Sequence, residues 1–189
     1  MKKYLSGVLC ILFSALFIAV IPTDAEGRIY EDTVRLHVLA NSDSEEDQNL
    51  KLIIRDEVLK EYGSSLSLFK SVEEAKSSLN EKLDEIESFC NERLIALSDK
   101  GYKAKVSLSE EWYETRDYGE FSLPKGYYTS LRIIIGSGEG QNWWCVMFPP
   151  LCLDASTEKI AYSPEEELLI TKKYAVKFKI IEVVSEIWK

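Results

Sequence analysis

The segment TVRLHVLANSDSEEDQNLKLII, residues 33–54, decides the fold. Residues 33–39 alternate apolar and polar side chains, which is typical of a β-strand. A polar turn follows, and Ser42 with Glu45 predicts a capping box that begins a helix. That helix is predicted to end at Gly63, because glycine commonly follows the last helical turn. Its apolar stripe consists of Leu50, Ile53, Ile54 and Val58.

Further helices are predicted on the C-terminal side of this segment. Ser71 with Glu74 predicts the start of a second helix, and Gly101 predicts its end. Ser163, followed by a proline, predicts another helix start. The chain from Tyr174 fits both a strand and a helix, and we interpret it as a helix.

Three strands are predicted between these helices. Apolar or alternating runs cover 102–108, 127–135 and 142–148. The glycine-rich stretch 136–140 predicts that the last two strands form a hairpin. Helices and strands are largely segregated, which predicts a single α+β domain over 26–189. Its expected architecture is a small mixed or antiparallel sheet with helices packed on one side.

Residues 1–25 have the three-part layout of a secretory signal peptide. Lys2 and Lys3 form a positive start, and residues 5–21 are almost entirely apolar. Ala25 is suited to cleavage. The apolar run spans about 25 Å as a helix, less than the ~30 Å of a bilayer core. We therefore predict a cleaved signal and an exported domain, with an uncleaved anchor as the alternative.

The chain is acidic, with a formal net charge of −9 over 189 residues. This charge predicts no nucleic-acid partner. Residues 172–189 are an exception, because five lysines there outnumber two glutamates. A solvated helix face explains that stretch most simply. Membrane contact is expected only through the N-terminal segment or, as an alternative, through this basic stretch.

Three cysteines follow the signal: Cys90, Cys145 and Cys152. A location outside the cytoplasm permits disulfides. Cys145 and Cys152 flank a short loop that two prolines bend, and we predict a disulfide between them, with two buried thiols as the alternative. Cys90 lies in an apolar helical stripe and is interpreted as a buried small hydrophobe.

Motifs that could support catalysis or metal binding are weak. His37 and Cys145 could form a base–nucleophile pair, but His37 is expected to face solvent or a helix end. The acids from Asp43 to Asp47 do not fit an EF-hand, and helix capping explains them, with another carboxylate or metal site as the alternative. The glycines of 136–140 lead into a strand, whereas a phosphate-binding loop precedes a helix. We therefore predict no catalytic, cofactor-binding or metal-binding residues.

Trp143 and Trp144 are adjacent on a predicted strand, so their side chains point to opposite faces. One tryptophan is then available for the core and the other for the surface. An exposed tryptophan beside the stiff Pro149–Pro150 loop would suit a protein interface. Core packing is the alternative for either tryptophan.

Two stretches together resemble the stage II sporulation protein R family. One is RLHVLANSDS at 35–44, and the other is NWWCVMFPPLC at 142–152. The resemblance covers 30–153 and the N-terminal signal. It implies an exported signal of endospore formation that is made in the forespore and exported into the space between the two sporulation membranes. The resemblance also implies that the signal triggers a membrane-embedded aspartic-type protease there, and that this protease processes the pro-form of the mother-cell sigma factor.

The resemblance assigns no catalytic residues, and an exported envelope hydrolase or a structural envelope protein remains an alternative. As a hypothesis, the 41–48 turn and the 143–152 loop contact the protease. Charge reversal at Asp43 and Asp47 is then expected to weaken signalling without changing thermal unfolding, as is alanine at either tryptophan. The candidate contact residues are Asn41, Asp43, Asp47, Trp143, Trp144, Pro149 and Pro150.

Overall fold

The computed structural model describes residues 24–66, 68–118 and 122–150 and the isolated positions 7, 13, 14 and 170. Most of the predicted signal segment, the helix start at Ser163, Cys152 and the basic C-terminal stretch lie outside these residues. The helices are α1 (Asp24–Glu31), α2 (Glu45–Val58), α3 (Val72–Glu81) and α4 (Leu83–Leu97). The strands are β1 (Val34–Leu39), β2 (Ala104–Tyr113), β3 (Arg116–Asp117), β4 (Ser122–Leu123), β5 (Gly126–Ile135) and β6 (Asn142–Phe148).

The two predicted helix starts that lie in the described residues have different outcomes. Ser71 caps α3 as predicted, because its side chain accepts a hydrogen bond from the Glu74 N–H at 3.3 Å. The predicted cap at Ser42 is wrong. Ser44 caps α2 instead, and its hydroxyl accepts from the Asp47 N–H at 3.2 Å. Sequence spacing could not separate the two serines, because each precedes an acidic residue by three positions.

The helices also end differently from the sequence expectation. Lys82, with φ −100° and ψ 6°, leaves the helical conformation and divides the second predicted helix into α3 and α4. The apolar stripe continues across this break, so the periodicity gave no sign of it. Gly63 does not end the first helix, because a π-helical turn (Leu59–Gly63) and a short helical turn (Ser64–Leu66) extend α2.

A four-stranded mixed sheet of order β2-β5-β1-β6 forms the centre of the fold. β1 is parallel to β5 and antiparallel to β6, and β2 is antiparallel to β5. This arrangement confirms the predicted α+β class. The predicted β5–β6 hairpin is wrong, because β1 lies between the two strands. All six residues of β1 are buried, and a strand buried on both faces favours a central position over an edge.

The two faces of the sheet are covered by different elements. α2, α3 and α4 cover one face and form the main core with it. α1 covers part of the other face, where a smaller cluster consists of Ile29, Tyr113, Leu123, Tyr128, Val146 and Ile170. Within the described ranges, no helix is both long and apolar enough to span a bilayer.

Candidate functional site: a loop junction at one end of the sheet

The loops that follow β1 and β5 meet at one end of the sheet. Because β1 and β5 are parallel, the residues that follow them, among them Asn41 and Ser137, lie at the same edge. The Ser137 N–H donates to Asn41 Oδ1 at 3.0 Å, and the Ser137 hydroxyl donates to the Asn41 carbonyl at 2.8 Å. Gly136 permits this approach, since it has φ +61° and a Cβ atom there would lie 2.3 Å from Asn41 Oδ1. We call residues 41–48 and 136–142 the loop junction.

The carboxylate of Asp47 lies at the centre of the loop junction and is 2% exposed. Its Oδ2 atom accepts hydrogen bonds from Ser42 Oγ at 2.6 Å and from Asn41 Nδ2 at 3.0 Å. Its Oδ1 atom accepts one from Lys100 Nζ at 3.1 Å, and the Tyr102 hydroxyl donates to Oδ2 at 3.4 Å. Asp47 therefore ties its own loop to the segment before β2, and it is not exposed to a partner.

Hydrogen bonds keep this buried carboxyl ionised. Burial raises the pKa of Asp47, but hydrogen bonds from Ser42, Asn41 and Lys100 outweigh burial and hold the pKa well below its usual value. Hydrogen bonds to Glu46 and Asp47 raise the pKa of Lys100. The Asp47–Lys100 pair is therefore charged at neutral pH.

We expect the folded state to lose stability in acid through Asp47. A carboxyl whose folded pKa lies below its unfolded value of about 3.9 binds protons less readily when folded. Its contribution is complete above about pH 5 and is lost as the pH falls toward the folded pKa. Urea unfolding at neutral pH and at about pH 3 measures this loss. Asp47→Asn is expected to lose less stability in acid than the wild type, and an equal loss would contradict the assignment.

A second set of contacts fixes the β6 side of the loop junction. Asp43 Oδ1 accepts a hydrogen bond from the Gln141 N–H at 2.6 Å. The buried Lys51 ammonium donates to the Gln141 carbonyl at 2.9 Å and to Gln48 Oε1 at 2.6 Å. Burial, and then the charge of Arg55, lowers the pKa of Lys51. The exposed acids of the loop junction are Asp43, Glu45, Glu46 and Glu139.

Trp143 and Trp144 lie on opposite faces of β6, as predicted. Trp143 packs against the main core, and the Arg55 guanidinium lies 4.5 Å from its ring centre. Trp144 stacks on His37 with 5.4 Å between ring centres, and the Arg116 guanidinium lies 3.6 Å from the Trp144 ring. Both tryptophans are partly buried, so neither side chain is freely exposed. The other two candidates, Pro149 and Pro150, are buried and follow the opposite end of β6, where Phe148 pairs with Val34.

Sequence reasoning missed a buried polar cluster on the sheet face opposite the main core. The expectation that His37 faces solvent is wrong, since His37 is 8% exposed and its Nδ1 atom lies 2.8 Å from Glu111 Oε2. Arg132 Nε lies 3.2 Å from Glu111 Oε1, so the two groups form an ion pair, although the geometry is not that of a hydrogen bond. The Tyr113 hydroxyl donates to Glu111 Oε2 at 3.2 Å and lies 2.6 Å from Ser130 Oγ. Glu111 thus holds groups from three strands together.

Arg35 belongs to the same face and is fully buried. Its guanidinium lies 3.9 Å from the ring centre of Tyr113 and 5.0 Å from that of Tyr128, and it donates to the Tyr118 hydroxyl. The alternation of Arg35 and His37 with apolar residues marks this face of β1 as polar. It could not show that α1 and the tyrosines would cover that face.

The structure does not bring His37 and Cys145 together as base and nucleophile. Cys145 pairs with Leu36 and packs in the main core, whereas His37 points to the opposite face. Cys90 is a free, buried cysteine, and burial raises its pKa to about 12. In the part of the chain that the structure describes, no group of three or more His, Cys, Asp or Glu side chains is arranged to hold a metal ion.

The fold and this site define a small α+β domain that presents an acidic loop junction at one end of a mixed sheet. Residues 30–158 match the family described as Stage II sporulation protein R. Over 149 residues the chain is 36% identical to Stage II sporulation protein R of Bacillus subtilis (strain 168). The chain therefore belongs to the stage II sporulation protein R family, and this membership supports a role in sporulation.

The match to the Bacillus subtilis protein covers 79% of this chain and 66% of that relative, so the chain spans just under two thirds of the relative's length. No solved structure matches the chain. Both motifs of the sequence resemblance, at 35–44 and 142–152, fall within the matched residues 30–158.

Proposed function

We propose that this chain is an exported signalling protein of endospore formation. Residues 1–25 direct it from the forespore into the space between the two sporulation membranes. There it triggers a membrane-embedded aspartic-type protease, which processes the pro-form of the mother-cell sigma factor. The observation that carries this proposal is the family match over 30–158, which includes all residues of the loop junction.

The exposed acids of the loop junction are the surface that we propose for the protease. Asp43 and Glu139 are exposed on the two loops, which the contacts between Asn41 and Ser137 hold together. A preorganised charged surface suits recognition, because little conformational entropy is lost on binding. Asn41 and Asp47 then act as positioning residues for this surface.

Co-expression in a non-sporulating bacterium tests the function. The full chain, the protease and its pro-sigma substrate are produced together, and processing is followed by immunoblot. We expect processing with the full chain and none with a version that lacks residues 1–25. No processing by an exported, folded chain would contradict the proposal and favour an envelope hydrolase or a structural envelope protein.

The double variant Asp43→Asn with Glu139→Gln tests the contact surface in the same assay. It removes two charges while keeping the shape of both side chains and a hydrogen-bond acceptor for Gln141. We expect processing to fall several-fold, because the charges of a recognition surface speed the encounter with a partner. Glu92→Gln, at an exposed position on α4, is the matched control. Equal processing by the double variant and the control would show that these acids are not part of the contact surface.

We also propose that Cys145 is bridged to Cys152. What supports this is that, of the two cysteines in the described ranges, Cys90 is a free thiol and Cys145 is not. In denatured, unreduced protein without its signal, we expect an alkylating reagent to label Cys90 alone. Trypsin leaves Cys145 and Cys152 on one peptide, since no lysine or arginine separates them. That peptide is expected to gain two labels only after reduction, and labelling of Cys145 before reduction would contradict the bridge.

A further inference from the structure

The outer edge of β2 is covered along only part of its length. β2 is an edge strand of the four-stranded sheet. The Asn91 side chain on α4 accepts from the Ala104 N–H at 2.9 Å and donates to the Ala104 carbonyl at 3.3 Å. Farther along, the Val106 N–H donates to Glu87 Oε2 at 2.9 Å. Even-numbered residues of β2 therefore point their backbone groups away from β5.

From Leu108 onward, no residue in the described part of the chain covers this edge. By the same alternation, the backbone groups of Leu108, Glu110 and Trp112 point outward. Among the described residues, none is hydrogen-bonded to these outward groups. Unpaired backbone groups at a sheet edge are a template for another strand. We call residues 108–112 the open half-edge.

Two exposed aromatic rings lie beside the open half-edge. Trp112 is 50% exposed, and its cross-strand neighbour Tyr127 on β5 is 62% exposed. The rings pack edge to face with 5.1 Å between centres, and the Trp112 indole donates to Glu114 Oε1 at 3.1 Å. These contacts hold the indole in one orientation. Large aromatic side chains held in this way are suited to anchor a protein partner.

The charges around the rings indicate the chemistry of the partner. Glu110 and Glu114 are exposed on either side of Trp112. They favour lysine or arginine in a partner and disfavour an anionic lipid surface. Glu110 and Trp112 lie on the same face, two residues apart. A strand that pairs here would therefore carry a basic and an apolar residue at that spacing.

We propose that the open half-edge binds an extended, basic segment of a partner protein, which adds to the sheet beside β2. The segment pairs its backbone with residues 108–112, packs an apolar side chain on Trp112 and Tyr127, and places a basic side chain at Glu110. Along β5 the Tyr127 ring of this surface lies nine residues, about 30 Å, from the loop junction at Gly136. The inference therefore goes beyond the proposed function and names a second surface.

A synthetic peptide of Lys-Thr-Val-Thr repeats, which places lysine and valine alternately on one face, is the probe. Binding to the full chain is measured by calorimetry, and amide hydrogen exchange is followed by NMR. We expect binding that protects the N–H groups of Leu108, Glu110 and Trp112. A peptide of Glu-Thr-Val-Thr repeats is expected to bind about tenfold more weakly or worse.

Glu110→Pro separates backbone pairing from side-chain contact. It removes one outward N–H and leaves the β2–β5 ladder intact, because proline is tolerated where the N–H of an edge strand faces solvent. Glu110→Ala removes the same carboxylate and keeps the N–H. We expect Glu110→Pro and Trp112→Ala to weaken binding about tenfold or more, with a smaller loss for Glu110→Ala. Ile95→Ala, at an exposed position on α4, is expected to bind like the wild type.

Several results would overturn the proposal. Equal binding by Glu110→Pro and Glu110→Ala would show that the backbone is not used, and a probe N-methylated along one edge repeats this comparison if Glu110→Pro does not fold. If these N–H groups are protected from exchange without peptide, another part of this chain already covers the edge. If that protection increases with protein concentration, a second copy of the chain covers it. Tighter binding to anionic vesicles than to the peptide would show that this surface binds lipid. Failure of the co-expression assay leaves these measurements unaffected.

Discussion

Asp47→Ala is expected to lower the free energy of unfolding by about 3 kcal/mol. Asn41, Ser42 and Tyr102 all donate to the Asp47 carboxylate. Each partly buried donor left without an acceptor costs about 1 kcal/mol. For a domain of this size the loss corresponds to a Tm lower by about 10 °C. Urea and thermal unfolding followed by circular dichroism measure both quantities.

Asp43→Ala is the matched control for this variant. It lies in the same loop, but it is exposed and loses a single hydrogen bond to Gln141, so about 1 kcal/mol or less is expected. An equally small loss of unfolding free energy for Asp47→Ala would contradict the conclusion that the Asp47 carboxylate stabilises the loop junction. The sequence-based expectation that charge reversal leaves unfolding unchanged is therefore withdrawn for Asp47, which is buried, and becomes an expected small loss for Asp43.

Glu111→Ala is expected to destabilise the fold more strongly, by about 3–5 kcal/mol. Burial raises the pKa of Glu111, but the hydrogen bond and charge of His37 and the charge of Arg132 bring the pKa below its usual value. The carboxylate is therefore ionised at neutral pH. Its loss removes the acceptor for the His37 imidazole and the counter-charge for Arg132. Urea unfolding at neutral pH measures the change.

Two further variants, Glu110→Ala and Glu111→Gln, serve as controls for this prediction. Glu110 neighbours Glu111 in sequence but is exposed on the opposite face of β2, so a change within about 0.5 kcal/mol is expected. Glu111→Gln keeps an acceptor for His37 and loses the charge, and its loss is expected to fall between the other two. If Glu111→Ala unfolds like Glu110→Ala, the buried polar cluster does not stabilise the sheet.

Local features of the fold were predictable from local patterns. The alternation over 33–39 gave β1, the spacing of Ser71 and Glu74 gave the start of α3, and adjacency on a strand placed Trp143 and Trp144 on opposite faces. Strand order was not predictable in this way. Nothing in the periodicity of β5 or β6 shows that β1 inserts between them, because that pairing joins residues far apart in sequence.

The candidate site was found only in part, for a related reason. The family resemblance pointed to Asn41, Asp43 and Asp47, but burial decides what each can do. Asp43 and Asp47 lie in the same acidic stretch, and nothing in the sequence distinguishes them. Asp47 is buried and hydrogen-bonded because Lys100 and Tyr102, from another segment, pack against it. No sequence pattern marked Glu111 as a functional or structural site, because its partners His37 and Arg132 lie on β1 and β5.

The central position of β1 also fixes when the sheet can assemble during synthesis. Val34 to Leu39 leave the ribosome early, but their partners on β5 and β6 follow only after α2, α3, α4 and β2. Contacts so distant in sequence carry a large loop-closure cost and form late. The strand whose six residues are all buried in the folded domain therefore lacks its native neighbours until β5 and β6 have been made. A nascent chain that stops before residue 142 lacks β6, so the four-stranded sheet can be completed only after residue 148 has been made.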